Sequence, residues 1–456
     1  MYRVTNPTTG ITSQEFNATT DTEADAALRR AAGAFPHWRD TPVASRCAAV
    51  IAVADSLLAR RDELAELTTT EMGKPITAAR AEIETSAAIL RWNAEQAPAR
   101  LRPEPVDGVT GACARVQRHP LGVVLGVMPW NFPFYQVARF AGPVLVTGNT
   151  VLLKHAPQCP TSALAWQELM AEQLPVPDSY VNVFATNEQV ADLIGRPEVQ
   201  GVSLTGSERA GSAVGAVAGA ALKKVVLELG GSDPFIVLDD HDIDSVADSA
   251  VAARLNNSGQ ACAAPKRFIV AESAFERFAE RFVAGMSRHQ PADPREETTI
   301  IGPLASEQAL RLLHGQVTDA VDRGARLHTG GHRIGDTGAF YAPTVLSNVT
   351  PGMRAYTEEL FGPASVLYRV ADDAAAVELA NDSPYGLGST VYAADEQRAL
   401  DVARQLEVGM VAINGRRPNV PALPFGGVKR SGFGRELGCY GLDEFVNHKV
   451  VAMVSG

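Results

Sequence analysis

From residue 123 to residue 238 the chain repeats one pattern, a short β-rich apolar run followed by a stretch of helical periodicity. The runs are 123–128, 150–154, 180–184, 201–204, 224–229 and 234–238, and helical stretches at 161–172, 188–194 and 210–221 lie between several of them. Near-continuous apolar strands suit burial on both faces, and strands joined through helices suit parallel pairing. The pattern therefore confines this region to an α/β fold, a parallel sheet with helices on both sides. The alternation restarts near Gly230, with a strand at 267–270 and a helix at 274–287, and continues in further βα units to about Val411. A second α/β unit is the simplest account.

The flanks read differently. Residues 21–35, 44–68 and 71–96 carry apolar side chains at helical spacing and are rich in Ala, Leu and Arg. Pro98, Pro103 and Pro105 mark 97–107 as a loop or extended crossing. The tail from Ser431 is mixed and ends in an apolar run, 450–454, suited to pairing as an edge strand with another subunit.

Composition narrows the function classes. With 41 Lys and Arg against 52 Asp and Glu, the net charge is −11, and there is no basic block to hold a polyanion. The longest apolar stretches, 121–127 and 140–146, fall far short of the ~20 residues of a spanning helix. The opening MYRVTNPTTG lacks the layout of a secretory leader. The cysteines Cys47, Cys113, Cys159, Cys262 and Cys439 are scattered, with no CxxC pair. Neither zinc nor a disulfide framework is indicated, no metal site is expected, and the expected compartment is the cytoplasm.

Three segments carry chemistry. In NNSGQACAAPKRF, Cys262 sits among small residues just after Gly259, open to a substrate and beside backbone N–H groups that can face a developing negative charge. In VVLELGGSDP, Glu228 lies inside an apolar strand, where desolvation raises a carboxyl toward the range of a general base. In VMPWNFPF, Asn131 follows a strand between two prolines and has an amide able to donate to an oxyanion. Each alone has an ordinary reading as core cysteine, paired glutamate or turn residue.

Together with GNTVLLK, SLTGS, EELFGP and PFGGVKRSGFGRE, these segments occur in one order over some three hundred residues. The set resembles the NAD(P)-dependent aldehyde dehydrogenase superfamily over essentially the whole chain. The 34-residue step from Glu228 to Cys262 is also that family's. The KHA after the GNTVLLK strand and the PFGGVKRSGFGREL ending look most like its succinate-semialdehyde dehydrogenase branch.

The resemblance implies an aldehyde-dehydrogenase-like fold of two parallel-sheet α/β domains plus a small β oligomerisation arm. Residues 1–101 and 121–230 would form the cofactor-binding domain, 231–430 the catalytic domain, and 102–120 with 431–456 the arm of a homodimer or homotetramer. Cys262 would attack the aldehyde to give a thiohemiacetal, with Asn131 and the Cys262 N–H holding the oxyanion. Hydride would pass to the nicotinamide, and Glu228 would activate water to hydrolyse the thioester. No GxGxxG follows a strand, so the pyrophosphate position falls to Gly206, Ser207 and Gly211. Trp130 and Lys154 match positions at the adenosine ribose and its phosphates, and Glu359 and Phe361 match those at the nicotinamide ribose.

Two choices depend on single positions. NAD-preferring relatives often carry Glu three residues after the lysine; here that residue is Pro157, which neither binds the ribose hydroxyls nor repels a 2′-phosphate. NADP⁺ is therefore the expected cofactor, with NAD⁺ possible. Arg139 stands where the succinate-semialdehyde branch grips its substrate's distal carboxylate, and Asn419 replaces a serine that assists. A second arginine of some relatives is Asn256 here, while Arg416 and Arg417 are unusual in this loop. The leading expectation is oxidation of succinic semialdehyde to succinate. The alternatives are a broad aldehyde dehydrogenase for other short or acidic aldehydes, a thioester or ester hydrolase, and a non-catalytic structural relative.

Overall fold

A computed structural model of the chain describes residues 1–110 and 112–454. The β-rich runs gather into two large sheets. The first has six strands in the spatial order Gly432–Phe433, Lys224–Glu228, Val199–Thr205, Val123–Val127, Thr150–Lys154 and Tyr180–Asn182. All are parallel except Gly432–Phe433, which pairs antiparallel with Lys224–Glu228. Side chains alternate between two cores: Val123, Leu125 and Leu152 pack with Ala24, Leu28 and Ala31, while Val124, Val151 and Leu153 pack with Phe140, Val144 and Leu90. Burial on both faces is why these strands read as unbroken apolar runs.

The first sheet reverses its winding beside Val123–Val127, whose neighbours are the next strand in the chain, Thr150–Lys154, and the later one, Val199–Thr205. In doubly wound sheets ligands bind beyond the carboxyl ends of strands at such a reversal. Trp130 and Asn131 follow one of these carboxyl ends, Gly206 and Ser207 another.

The second sheet has seven strands in the order Arg326–Thr329, Thr344–Ser347, Ala364–Val370, Arg267–Ala271, Pro234–Val237, Gly388–Tyr392 and Met410–Ile413. Only Arg326–Thr329 is antiparallel to its neighbour. The run expected at 234–238 therefore belongs to this sheet and not to the first. Just five residues, 229–233, join the carboxyl end of Lys224–Glu228 to the start of Pro234–Val237. That short link turns the carboxyl edge of the first sheet toward the amino edge of the second. Glu228 ends a strand on one side of the seam, and Cys262 precedes a strand on the other.

A third sheet pairs Val446–Val454 with Ala112–Pro120, and the latter with Glu104–Val106. The tail expected to act as one arm is thus divided. Gly432–Phe433 extends the first sheet, and only Val446–Val454 enters the small one.

The amino-terminal helices are Asp21–Asp40, Val43–Ala59, Arg61–Met72 and Ile76–Arg100. The helix expected over 71–96 is interrupted, because Gly73 takes a left-handed φ of 74° and Pro75 cannot continue a helix already under way. A hairpin of Tyr2–Thr5 and Thr12–Phe16 escaped the sequence reading. Its second strand, TSQEF, is mostly exposed and has no apolar alternation to betray it.

Candidate active site

Cys262 opens onto a cavity of about 610 Å³ lined also by Tyr135, Arg139, Arg417, Asn419 and Phe425. The loop that carries it is built by close approach of backbone. Asn257 and Ser258 both hold left-handed φ values, 53° and 55°, a conformation costing of order 1–3 kcal/mol at each. The strain is held by side-chain hydrogen bonds: Asn257 Nδ2 donates to Asn131 O at 2.9 Å and to Gln260 O at 3.1 Å, and the Gly302 N–H donates to Ser258 Oγ at 3.0 Å. Gly259 has a φ of 74°, and a Cβ there would lie 2.3 Å from Gly362 O. At Gly231 a Cβ would lie 2.7 Å from Cys262 O. The glycines of GQAC, LELGG and EELFGP are therefore contact points of one structure. Motifs far apart in the chain recur together because their backbones touch.

Asn131 is buried against this loop, and its Nδ2 donates to Gln260 O at 3.1 Å. One N–H of the amide is thereby fixed, and the other has no acceptor among the described residues. Asn131 is not among the residues lining the cavity, where its neighbour Phe132 is. Two residues further on, Glu82 Oε1 accepts the N–H groups of Phe134 at 2.8 Å and Tyr135 at 3.1 Å, which fastens the turn from the other end.

Glu228 is 2% exposed, and neither of its carboxylate oxygens has a hydrogen-bond partner among the described residues. Burial drives its pKa well above the usual carboxyl range; Arg139 opposes the rise, and Glu436 adds to it. A structural glutamate in an apolar strand would be paired. This one is unpaired among the described residues, which leaves both oxygens free to accept a proton.

The Cys262 thiol is pushed up to about 12 by burial, against the pull of Arg139 and Lys266. It therefore needs a base to become a thiolate. Glu228 is close enough for its charge to act on the same thiol. Lys266, which the sequence reading missed, is 1% exposed and donates to Cys262 O at 2.6 Å and Ala261 O at 3.1 Å, while lying 3.1 Å from Glu359 Oε1. The KR pair leading into an apolar strand was the available signal: buried charges at a strand entrance must have partners.

The positions matched to the cofactor cluster along the carboxyl edge of the first sheet. Lys154 ends its strand, is 6% exposed, and has no carboxylate partner among the described residues. Burial lowers its pKa to about 8. An unpaired buried cation of this kind fits a phosphate. Pro157 is exposed in the turn beyond it. Ser207 caps the helix Glu208–Ala220, its Oγ accepting the Ala210 N–H at 3.3 Å. The positive end of that helix faces the same edge. At Gly211 a Cβ would strike the Leu229 side chain at 2.5 Å, so its smallness lets the helix sit close to the end of the strand. Trp130 and Phe361 meet edge to face at 5.5 Å. Glu359 accepts the Gly231 N–H at 3.1 Å. The residues present therefore fit a dinucleotide.

On the substrate side, Arg139 lines the cavity as expected but is already engaged. It is 1% exposed and forms an ion pair with Glu436, whose other oxygen accepts from Ser203 Oγ at 3.2 Å. Its guanidinium also lies 4.3 Å from the centre of the Phe425 ring. Asn419 is exposed, and its Oδ1 accepts the Tyr135 hydroxyl at 3.4 Å. Cys47 and Cys159 are buried, whereas Cys113 and Cys439 are exposed.

Comparison with known proteins shows the family. Residues 1–451 match the aldehyde dehydrogenase family. The chain is 49% identical over 450 residues to the succinate-semialdehyde dehydrogenase [NADP(+)] of Deinococcus radiodurans, covering 99% of this chain and 94% of that protein. It is 44% identical over 446 residues to the succinate semialdehyde dehydrogenase [NAD(P)+] Sad of Escherichia coli, covering 98% and 96% respectively. Among solved structures, the succinic semialdehyde dehydrogenase from Streptococcus pyogenes in complex with NADP⁺ superposes with a TM-score of 0.97 at 38% identity, covering 100% of both chains.

Proposed function

Because the chain belongs to the aldehyde dehydrogenase family, we propose that it oxidises succinic semialdehyde to succinate with NADP⁺ and that Cys262, Glu228 and Asn131 carry the chemistry. The observation that carries this reading is a cavity-lining thiol, Cys262, that feels the charge of a buried carboxylate, Glu228, with no partner of its own among the described residues.

Glu228 takes the proton that the Cys262 thiol is reluctant to lose, and the sulfur adds to the aldehyde carbon. The oxygen of the resulting thiohemiacetal is stabilised by the free N–H of the Asn131 amide and by the Cys262 backbone N–H, each such donor being worth about 10²–10³ in rate. The bound nicotinamide supplies the acceptor for the hydride. Lys154, the Ser207 helix end, Trp130, Glu359 and Phe361 would hold that cofactor, and Lys154 with Pro157 supports NADP⁺ over NAD⁺. After oxidation Glu228 releases the first proton to solvent, then removes a proton from the water that attacks the thioester, and Cys262 leaves as thiolate.

The relatives' substrate supports succinic semialdehyde, as does a cavity wall that holds arginines on an apolar ring. The arm supports assembly as a homodimer or homotetramer: Val450, Met453 and Val454 are exposed on its edge strand, and light scattering reads the assembly directly. A cytoplasmic location rests on the unpaired cysteines; among the described residues no helix is long and apolar enough to cross a membrane. The test of activity is a steady-state panel of succinic semialdehyde, glutaric semialdehyde, butanal and benzaldehyde, each with NADP⁺ and NAD⁺. NADPH formation fastest with succinic semialdehyde is expected, and no reduced cofactor with any aldehyde would refute the reading.

A further inference from the structure

Asn131 can serve an oxyanion only if its turn stays where the Cys262 loop meets it, and that turn is fastened from outside. Asn131 O accepts Asn257 Nδ2 at 2.9 Å, and Pro133 O accepts Trp166 Nε1 at 3.3 Å. His155 Nδ1 accepts the Ala156 N–H at 2.7 Å, so its proton lies on Nε2, which donates to Pro133 O at 3.0 Å. These bonds hold carbonyls. The N–H groups of Phe134 and Tyr135 open the helix Tyr135–Val146, where the first donors have no partner within the helix. Both are taken by a single atom, Glu82 Oε1, at 2.8 and 3.1 Å.

Glu82 stands on the helix Ile76–Arg100 and is buried. A buried carboxylate needs a counter-charge. Lys74, also buried, supplies it: its Nζ donates to Glu82 Oε2 and lies 3.7 Å from the centre of the Phe132 ring. The cation thus touches the residue that follows Asn131 as well as the carboxylate that takes the two N–H groups. The break between the helices Arg61–Met72 and Ile76–Arg100 makes this possible. Gly73 turns the chain where a Cβ would lie 2.6 Å from Pro303 Cγ, and Lys74 reaches back to the helix that follows. Lys74, Glu82 and Phe132 all border the substrate cavity. With Oε1 taken by two N–H groups and Oε2 by Lys74, however, the carboxylate is spent on the protein itself.

We propose that Glu82, paired with Lys74, is a positioning residue that aims the Asn131 amide at the oxyanion. The inference rests on the reading of Asn131 as an oxyanion donor and names what holds it in place. Loss of Oε1 would release two N–H groups at once, and a displacement of about 1 Å in a reacting site can cost about 10²-fold in rate.

The test uses the full chain with NADP⁺ and succinic semialdehyde. Two double variants differ in one acceptor: Lys74→Met with Glu82→Gln keeps a carbonyl oxygen for the two N–H groups, and Lys74→Met with Glu82→Met removes it. Neither leaves a buried charge unpaired. The first is expected to keep kcat within about threefold of the wild type. The second should lose about 10–100-fold in kcat, with the Kd for NADP⁺ unchanged. Action through Asn131 further predicts that the methionine pair costs less than about threefold when added to Asn131→Ala, because the donor it aims is already gone. Thermal melts show whether each variant is folded. Should the methionine pair not fold, Glu82→Asp keeps a carboxylate opposite Lys74 but is one methylene shorter, and carries the same expectation and the same cycle. Amide hydrogen exchange at Phe134 and Tyr135 reads the turn independently of turnover and should quicken in the same variants. Equal kcat in the two double variants, unchanged exchange at those amides, or the full loss recurring on Asn131→Ala would each overturn the assignment. An Asn131→Ala protein with wild-type turnover would refute the oxyanion reading itself, and the exchange rates would still decide whether Glu82 holds the turn.

Discussion

Arg139 and Glu436, 297 residues apart in the chain, form a buried ion pair at the junction of the first sheet and the substrate cavity. Ser203, on a central strand of that sheet, donates to the same glutamate, so the pair locks the carboxyl-terminal segment onto the sheet. The positive member also faces Glu228 and holds that carboxyl below the level burial alone would set.

Breaking this pair should destabilise the protein. Arg139→Met leaves Glu436 buried without its partner, a change that typically costs about 3–5 kcal/mol. Denaturant unfolding of Arg139→Met is expected to show that loss, and the double variant Arg139→Met, Glu436→Gln to recover much of it. An Arg139→Met protein of unaltered stability would contradict the structural role.

Replacement of the sulfur should stop oxidation without disturbing the cofactor. Cys262→Ala is expected to lose about 10³-fold or more in turnover, as removal of a nucleophile does elsewhere. NADP⁺ binding, followed by quenching of tryptophan fluorescence, should remain, because Trp130 and Lys154 lie on the other sheet.

Glu228 should separate the two halves of the reaction and set the pH dependence. Its carboxyl is raised by burial, and only the deprotonated form can accept a proton, so turnover should rise with pH as that form appears. Glu228→Gln should flatten this limb and slow thioester hydrolysis by about 10²–10⁴-fold. The effect on stability has the opposite sign. An acid with a raised folded pKa binds its proton more tightly when folded, so stability falls as pH rises from the unfolded pKa through the folded one. Glu228→Gln is therefore expected to melt higher than the wild type above neutral pH, with the gap narrowing in acid. Melts taken across the pH range measure this.

Cofactor preference should respond to one exposed position. Pro157→Glu places a carboxylate near Lys154, which would bind ribose hydroxyls and repel a 2′-phosphate. The expected result is a fall of about 10–100-fold in kcat/KM for NADP⁺ with that for NAD⁺ maintained or raised. A preference identical to the wild type would remove this position from cofactor selection.

The alternation of apolar runs and helices determined the two parallel sheets, because strands buried on both faces have no other sequence appearance. The glycine-bearing motifs made Cys262, Glu228 and Asn131 legible, since close backbone approach restricts those positions to the smallest residue wherever the chain happens to bring them. Long-range pairing left no such mark. Nothing local distinguishes Arg139, which found Glu436, from Arg417, which found no carboxylate among the described residues, and nothing in GF announces a strand whose partner, Lys224–Glu228, lies far along the chain. Which charges were neutralised was decided only when the carboxyl-terminal segment packed against the first sheet. An ion pair is a property of two places in space, and the order of residues specifies them one at a time.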